Sequence, residues 1–336
     1  GVPVLTRSMI DPPEKGATAR FAPGFGQRFL LTVDTEEEFD WSAPFTAEGH
    51  SVAHVERLGR FQEVCESYRV VPVYLIDWPI ANSPEAIDAL SGPVRAGKAE
   101  IGVQLHPWVN PPFDEEVNRQ NSFAGNLSPG LEREKFTRLR DLIEEKFGKA
   151  PLIYRAGRYG LGPATADILT DAGIAIDSSV RTNFDYSDTD GPDYRKHPLS
   201  PYWVDESHEL LELPLTTIYW GMLRKQGDLL HPALARTPKL RGLAAKMGML
   251  ERIPLTPEGV TADEAIRGID IAIDDGLPLM VLSFHSPSLA PGNTPYVRSE
   301  SDVERLFDWW ERIFTYLDMR GIKSTTVAEI MDAVQR

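Results

Sequence analysis

Four carboxylates stand within five residues, Asp34, Glu36, Glu37 and Glu38, directly behind the apolar run 29–33. Like charges this close repel one another. A bound cation or a proton-transfer role is the usual compensation. Three more polar groups follow apolar runs in the same way: His106 after 100–105, Arg155 with Tyr159 after 152–154, and His285 after 279–284. A carboxylate able to act as a base, a candidate metal-ligand set, an orienting cation and a second imidazole together make a hydrolytic kit.

For the kit to work, the chain must bring these groups to one place. Strand and helix signals alternate along most of it. Strands are expected at 29–33, 70–76, from 100, at 152–154, 174–176, 210–215, 279–284 and 323–327. Between them, Val55, Leu58, Phe61 and Val64 recur every three residues, as on a helix near 52–67. Ser128-Pro129 opens a helix with the buried stripe Phe136, Leu139, Ile143 and Phe147, which Gly148 ends. A further helix falls near 163–172. Thr261-x-x-Glu264 and Ser301-x-x-Glu304 read as capping boxes for two more. Strands alternating with helices give a parallel sheet, and in such folds all C-terminal strand ends lie on one face. Groups far apart in sequence therefore converge. Residues 1–28 hold Pro12-Pro13 and Pro23-Gly24 and read as an irregular arm before one domain over 29–336. Around 220–260 the alternation breaks, as expected of an insertion.

Composition bounds the function. The 336 residues are 42% hydrophobic and 25% charged, enough for an ordinary core. A net charge of −15 argues against nucleic acid and anionic membrane surfaces as partners. Cys65 is the only cysteine, so no intrachain disulfide forms. With no basic stretch leading into an apolar one at residues 1–28, a cytoplasmic location is the expectation.

Several motifs occur in a fixed order: Thr32-Val33-Asp34-Thr35-Glu36, Glu100-Ile101-Gly102-x-x-x-His106, Tyr154-Arg155-Ala156-Gly157-Arg158-Tyr159-Gly160, Asp177-Ser178-Ser179 and Leu282-Ser283-Phe284-His285-Ser286. Over roughly residues 29–330 the chain resembles the polysaccharide deacetylases, the NodB-homology or carbohydrate esterase family 4 proteins, and is similar to a divergent bacterial branch of them. The resemblance implies a distorted (β/α) barrel of seven or eight strands and removal of acetyl groups from a carbohydrate.

By the same resemblance, Asp34 corresponds to the general base that activates water, and Arg155 to the arginine that orients it. The Tyr159 backbone N–H corresponds to an oxyanion donor. His285 corresponds to the general acid, with Asp177 holding it protonated. A divalent metal, zinc first, would bind Glu36 and His106, with Asn110 where a second histidine is usual. Counting instead from Gln104 leaves Gln104 and Trp108 at the ligand positions. Zinc favours three good donors, so a metal-free hydrolase stays open. Trp41, Trp108 and Tyr296 are candidate faces for stacking a sugar ring. The alternatives are an amidohydrolase acting on a small non-sugar amide and a sugar-binding protein without catalysis. Removing the Asp34 charge is expected to relieve repulsion within 34–38.

Overall fold

The structure, a computed structural model, describes residues 8–220 and 251–336. Strands β1 (Arg28–Thr35), β2 (Pro72–Ile76), β3 (Glu100–Leu105), β4 (Ile153–Ala156) and β5 (Ile176–Asp177) run parallel in sequence order. Next come β6 (Tyr202–Trp203), antiparallel to β7 (Leu211–Glu212), and the antiparallel pair β8 (Thr217–Trp220) and β9 (Glu251–Pro254). β10 (Leu279–His285) returns to lie parallel to β1, and β11 (Lys323–Ser324) also pairs with β1. The order in the main sheet is β10-β1-β2-β3-β4-β5-β7-β6. The β5–β7 pairing continues through Leu215 N–H, which donates to Val180 O at 2.9 Å, and Val281 N–H donates to Thr216 Oγ1 at 2.8 Å, joining β10 to the segment after β7 and curling the sheet. The result is the distorted (β/α) barrel expected from the motifs.

Side chains alternate sides along each strand. Leu30, Val73, Leu75, Ile153, Ile176, Leu211, Leu279 and Val281 form one cluster inside the curl. Their neighbours Leu31, Val33, Tyr74, Val103, Tyr154, Leu282 and Phe284 pack outward with the helices. The inward set continues upward at two-residue steps. Leu30 leads to Asp34, Leu75 to Asp77, Ile153 to Arg155 and Val281 to His285. Strand phase therefore delivers Asp34, Arg155 and His285 to the interior at the C-terminal mouth, and Asp77 to the inward step at the end of β2. At the opposite end the interior is closed by Val327 and Ile330 of the helix Val327–Ala333, with Phe25 from the N-terminal arm.

The helices follow their sequence signals closely. Pro129–Phe147 is capped by Ser128 and ends at Gly148 in the left-handed region (φ 72°). Thr261 and Glu264 form the expected capping box of Ala262–Asp274. The helix Glu300–Met319 starts earlier than expected, because Ser299 rather than Ser301 accepts the capping bond, from Asp302 N–H. The strands expected at 210–215 and 323–327 are each only two residues long, β7 and β11. Of the insertion expected around 220–260, residues 221–250 lie outside the described residues.

Candidate active site

β1 and β10 are in parallel register with Asp34 opposite His285, and β3 and β4 with Gln104 opposite Arg155. Arg155 Nη1 donates to Asp34 Oδ1 at 2.7 Å. Its Nε donates to Ser178 O at 2.6 Å and its Nη2 to Ser178 Oγ at 3.1 Å. The guanidinium is thus fixed on two sides, and it fixes Asp34. The other Asp34 oxygen, Oδ2, lies 3.4 Å from His285 Nε2. All three side chains line one cavity of about 310 Å³.

The partner of His285 is Glu258. Nδ1 lies 2.8 Å from Glu258 Oε1, which also accepts the His285 backbone N–H at 3.1 Å. Ser288 Oγ donates to the other Glu258 oxygen at 2.6 Å. Burial opposes a charged imidazole here. Glu258, Glu36 and Asp34 outweigh it and push the His285 pKa up to about 10. These acids favour the charged imidazolium form of the ring.

Asp177 does not fill the place expected for it. One residue on from the inward-facing Ile176, it points to the other side of β5, opposite Glu212 of β7. Its oxygens accept from Ser179 N–H at 2.9 Å and Ser179 Oγ at 2.7 Å. Burial raises both Asp177 and Glu212, and their mutual repulsion takes Glu212 well above the usual carboxylate range. Asp177 does not touch His285; the carboxylate bonded to that ring is Glu258.

The second histidine sits among acids. His106 Nε2 is 2.9 Å from Glu36 Oε2, while Nδ1 is 3.0 Å from Glu37 Oε1 and 3.2 Å from Asp77 Oδ2. Burial disfavours its charge, but Glu37 and Glu36 more than offset this and raise it well above the ordinary range. Glu36 is itself raised by burial, against the pull of His285 and His106. The Gln104 amide nitrogen lies 3.3 Å from Glu36 and 3.1 Å from His106. Gly157 lets the ring in, since a Cβ there would come within 2.5 Å of His106 Cδ2.

Glu37, Asp77 and His106 present donor atoms within 4.8 Å of one another and could hold a metal ion. Apart from its 3.2 Å ion-pair contact with His106 Nδ1, Oδ2 of Asp77 is buried without a hydrogen bond, which suits that role. This is a different set from Glu36, His106 and Asn110. Asn110 donates its amide to Pro111 O and Lys135 O and does not line the cavity. Glu37 and Asp77 do not line it either, so an ion held by the triad would lie behind His106, not against a substrate.

Trp108 is also placed otherwise than expected. It is buried, stacks on His106 at 4.2 Å and packs against Phe45 and Phe39. It offers no sugar face. Lys135 holds this loop down, donating to the carbonyls of Pro107, Asn110 and Pro112 at 3.0, 2.6 and 2.6 Å. Trp41 and Tyr296 do line the cavity and remain exposed. The Trp41 ring meets His285 edge-on at 5.1 Å and Tyr296 at 6.2 Å. Arg158 and Tyr159 are consecutive left-handed residues (φ 56° and 59°), a conformation costing non-glycine residues about 1–2 kcal/mol each. The Tyr194 hydroxyl donates to Tyr159 O and helps hold the turn.

No family profile and no curated protein sequence matches this chain. Solved structures do. The Puue allantoinase superposes with a TM-score of 0.53 at 13% identity, over 96% of this chain and 93% of that one. A family 4 acetyl xylan esterase from Clostridium thermocellum, in complex with a cobalt ion, gives 0.44 at 13% identity over 91% of each chain. A CE4 family pseudoenzyme from Bacillus anthracis gives 0.44 at 11% identity, over 91% of this chain and 66% of that one. CE4 proteins, the family the motifs resemble, are thus among the structural neighbours, and the likeness is one of fold.

Proposed function

We propose that the protein is a hydrolase that removes an acetyl group from a carbohydrate, using Asp34 as base and His285 as acid. The observation that carries this reading is the placement of one Asp34 oxygen on Arg155 and the other beside the protonated His285, at the mouth of a cavity. Oδ1 is committed to the guanidinium, which leaves Oδ2 to take a proton from water. The water oxygen bonds to the acetamide carbon. The Tyr159 N–H, held in its left-handed turn, meets the charge that develops on the carbonyl oxygen. His285 then gives its Nε2 proton to the departing nitrogen as the C–N bond breaks, releasing acetate and an amine. Glu258 keeps that proton available, because it favours the charged ring.

The triad of Glu37, Asp77 and His106 would hold a metal ion if one binds, and the ion's charge would stabilise the acids around His106. No step above depends on it. Trp41 and Tyr296 supply the aromatic walls for a sugar ring.

A small non-sugar amide is the second reading. The cavity, about 310 Å³, is at the lower end of ligand sites, and the neighbour with the highest of the quoted TM-scores is an allantoinase. Trp108, which would have extended a polymer groove, is packed away. Both readings use the same groups. Acetate release from mono- and oligomeric N-acetyl sugars, run beside ring-opening of small cyclic amides, separates them. Turnover unchanged in Asp34→Asn would overturn both.

A further inference from the structure

The charges lining the cavity do not balance evenly. Each acid in the wall has a partner: Asp34 has Arg155, Glu258 has His285, and Glu36 has His106. Two arginines in the same wall have no carboxylate among the described residues. Arg158 donates to Ser122 Oγ at 2.7 Å and lies over Phe123 at 4.3 Å and Phe45 at 5.1 Å. Arg181 donates to the Tyr186 hydroxyl at 3.0 Å and lies over Phe184 at 3.9 Å and Tyr159 at 5.3 Å. Aromatic faces and neutral hydroxyls orient these guanidiniums but cancel neither charge. They also leave N–H donors of each group uncommitted, since a guanidinium carries five.

A partly buried cation is costly unless an anion meets it. Surface arginines of this chain find their acids readily, as Arg57 does with Glu300 and Arg60 with Glu304. In a chain with 50 acidic residues and net charge −15, two guanidiniums without a carboxylate among the described residues, in the cavity that holds Asp34 and His285, are suited to a counter-ion supplied by a ligand. Both adjoin Tyr159, one as its chain neighbour and one stacked on its ring, and Tyr159 is the proposed oxyanion donor.

We propose that Arg158 and Arg181 form an anion subsite, so that the substrate carries an oxyanion group, carboxylate or phosphate, beside the bond that is hydrolysed. This rests on the reading of the cavity as the substrate site, but not on the chemistry assigned to Asp34. The guanidinium fork suits either oxyanion. The neutral acetyl sugar or simple amide becomes the poorer ligand.

Binding to the wild-type protein, measured by calorimetry, tests this without requiring turnover. Matched pairs supply the probes: N-acetylmuramic acid against N-acetylglucosamine, succinamate against succinamide, and N-acetylglucosamine 6-phosphate as the phosphate arm. The anionic member should bind about 10-fold tighter or more, the usual scale for a charge-assisted hydrogen bond. The advantage should shrink in Arg158→Gln and in Arg181→Gln, and shrink again with added salt. A carboxylate preference without a phosphate preference, or the reverse, identifies the group. Equal affinity within every pair, or no binding by any anionic member, overturns the subsite. So does an anion preference retained in both arginine variants, which would leave the arginines as packing only. Should those variants not fold, the wild-type pairs still decide. Anion-selective binding without hydrolysis would keep the subsite and remove the proposed function. Hydrolysis of neutral amides without anion selectivity would do the opposite.

Discussion

Nδ1 of His285 lies 2.8 Å from Oε1 of Glu258, and the bond turns Nε2 of the same ring toward Asp34, 3.4 Å away. Glu258 is thus the strongest of the three acids that favour the charged imidazole and the one that aims it, from a stretch where strand and helix signals fail.

Glu258→Gln is expected to lower the His285 pKa from about 10 by roughly 1–3 pH units, the scale of one adjacent opposite charge. In the proposed mechanism the acid form is the active one, so the alkaline limb of kcat/KM should move to lower pH. The stability sign is the same. The folded-state pKa is raised above the ordinary value of about 6.5, so the contribution is complete below that value. It is lost as pH rises through about 10. Melting temperatures of wild type and E258Q should differ most below pH 6.5 and converge above pH 10. An alkaline limb that does not move would remove Glu258 from the mechanism.

Asp34→Asn should reduce hydrolysis about 10²–10⁴-fold. It should also lower the melting temperature, contrary to the expectation from crowded charge alone. Asp34 is the buried partner of Arg155, and stranding one member of a buried pair costs about 3–5 kcal/mol. Asparagine keeps one acceptor, which places the loss toward the low end. Denaturant unfolding of the two proteins gives the number, and an unchanged or higher stability would contradict the pairing.

Glu132 gives a stability test away from the site. Burial pushes its pKa up to about 7, against a hydrogen bond from Thr165 at 2.7 Å. A carboxyl raised in the fold disfavours folding as pH climbs past its unfolded value. Glu132→Gln should therefore change little at pH 4.5 and stabilise at pH 8.5, by roughly 1–3 kcal/mol. Equal melting shifts at the two pH values would show that Glu132 does not titrate as described.

Metal binding discriminates two ligand sets. Protein purified without chelator should bind at most one divalent ion. Asp77→Asn should abolish that binding, while Asn110→Ala should leave it intact and only loosen the loop that Lys135 holds. Chelation should lower the melting temperature by mass action where the ion is bound. Loss of the ion in N110A but not in D77N would restore the ligand set expected from sequence.

The sequence made the barrel legible because its strands carry apolar runs that end in polar residues, and a parallel sheet gathers such ends. Asp34, Glu36, His106, Arg155 and His285 follow from that rule, and all five line the cavity. The rule weakens where one residue of phase matters. Asp177 stands at a strand end as well, but on the outward step, so it meets Glu212. Glu258 sits beyond Pro257 in a stretch with no periodicity, and nothing local marks it as a partner of His285. Asp77 and Glu37 look like a turn and part of an acidic run, and their shared face toward His106 is a tertiary fact. Trp108 reads as an exposed loop aromatic. It is buried because Lys135, 27 positions on, ties the loop down through three carbonyls.

The pairing of β1 with β10 also has a consequence for how the protein comes to be. Asp34 and His285 face each other across neighbouring strands, and the bonds that stitch those strands, such as Thr32 Oγ1 to Leu282 O, span 250 positions. Contacts of such sequence separation form slowly, and during synthesis they cannot form at all until the later strand has left the ribosome. A growing chain can gather β1 to β5 in order, yet it has no His285 opposite Asp34 and an uncovered edge on β1. Asp34 and His285 meet only when that edge is sealed. Completion of the barrel and assembly of the Asp34–His285 pair are therefore one event, and a chain halted before residue 279 would lack that pair and be open to edge-to-edge association.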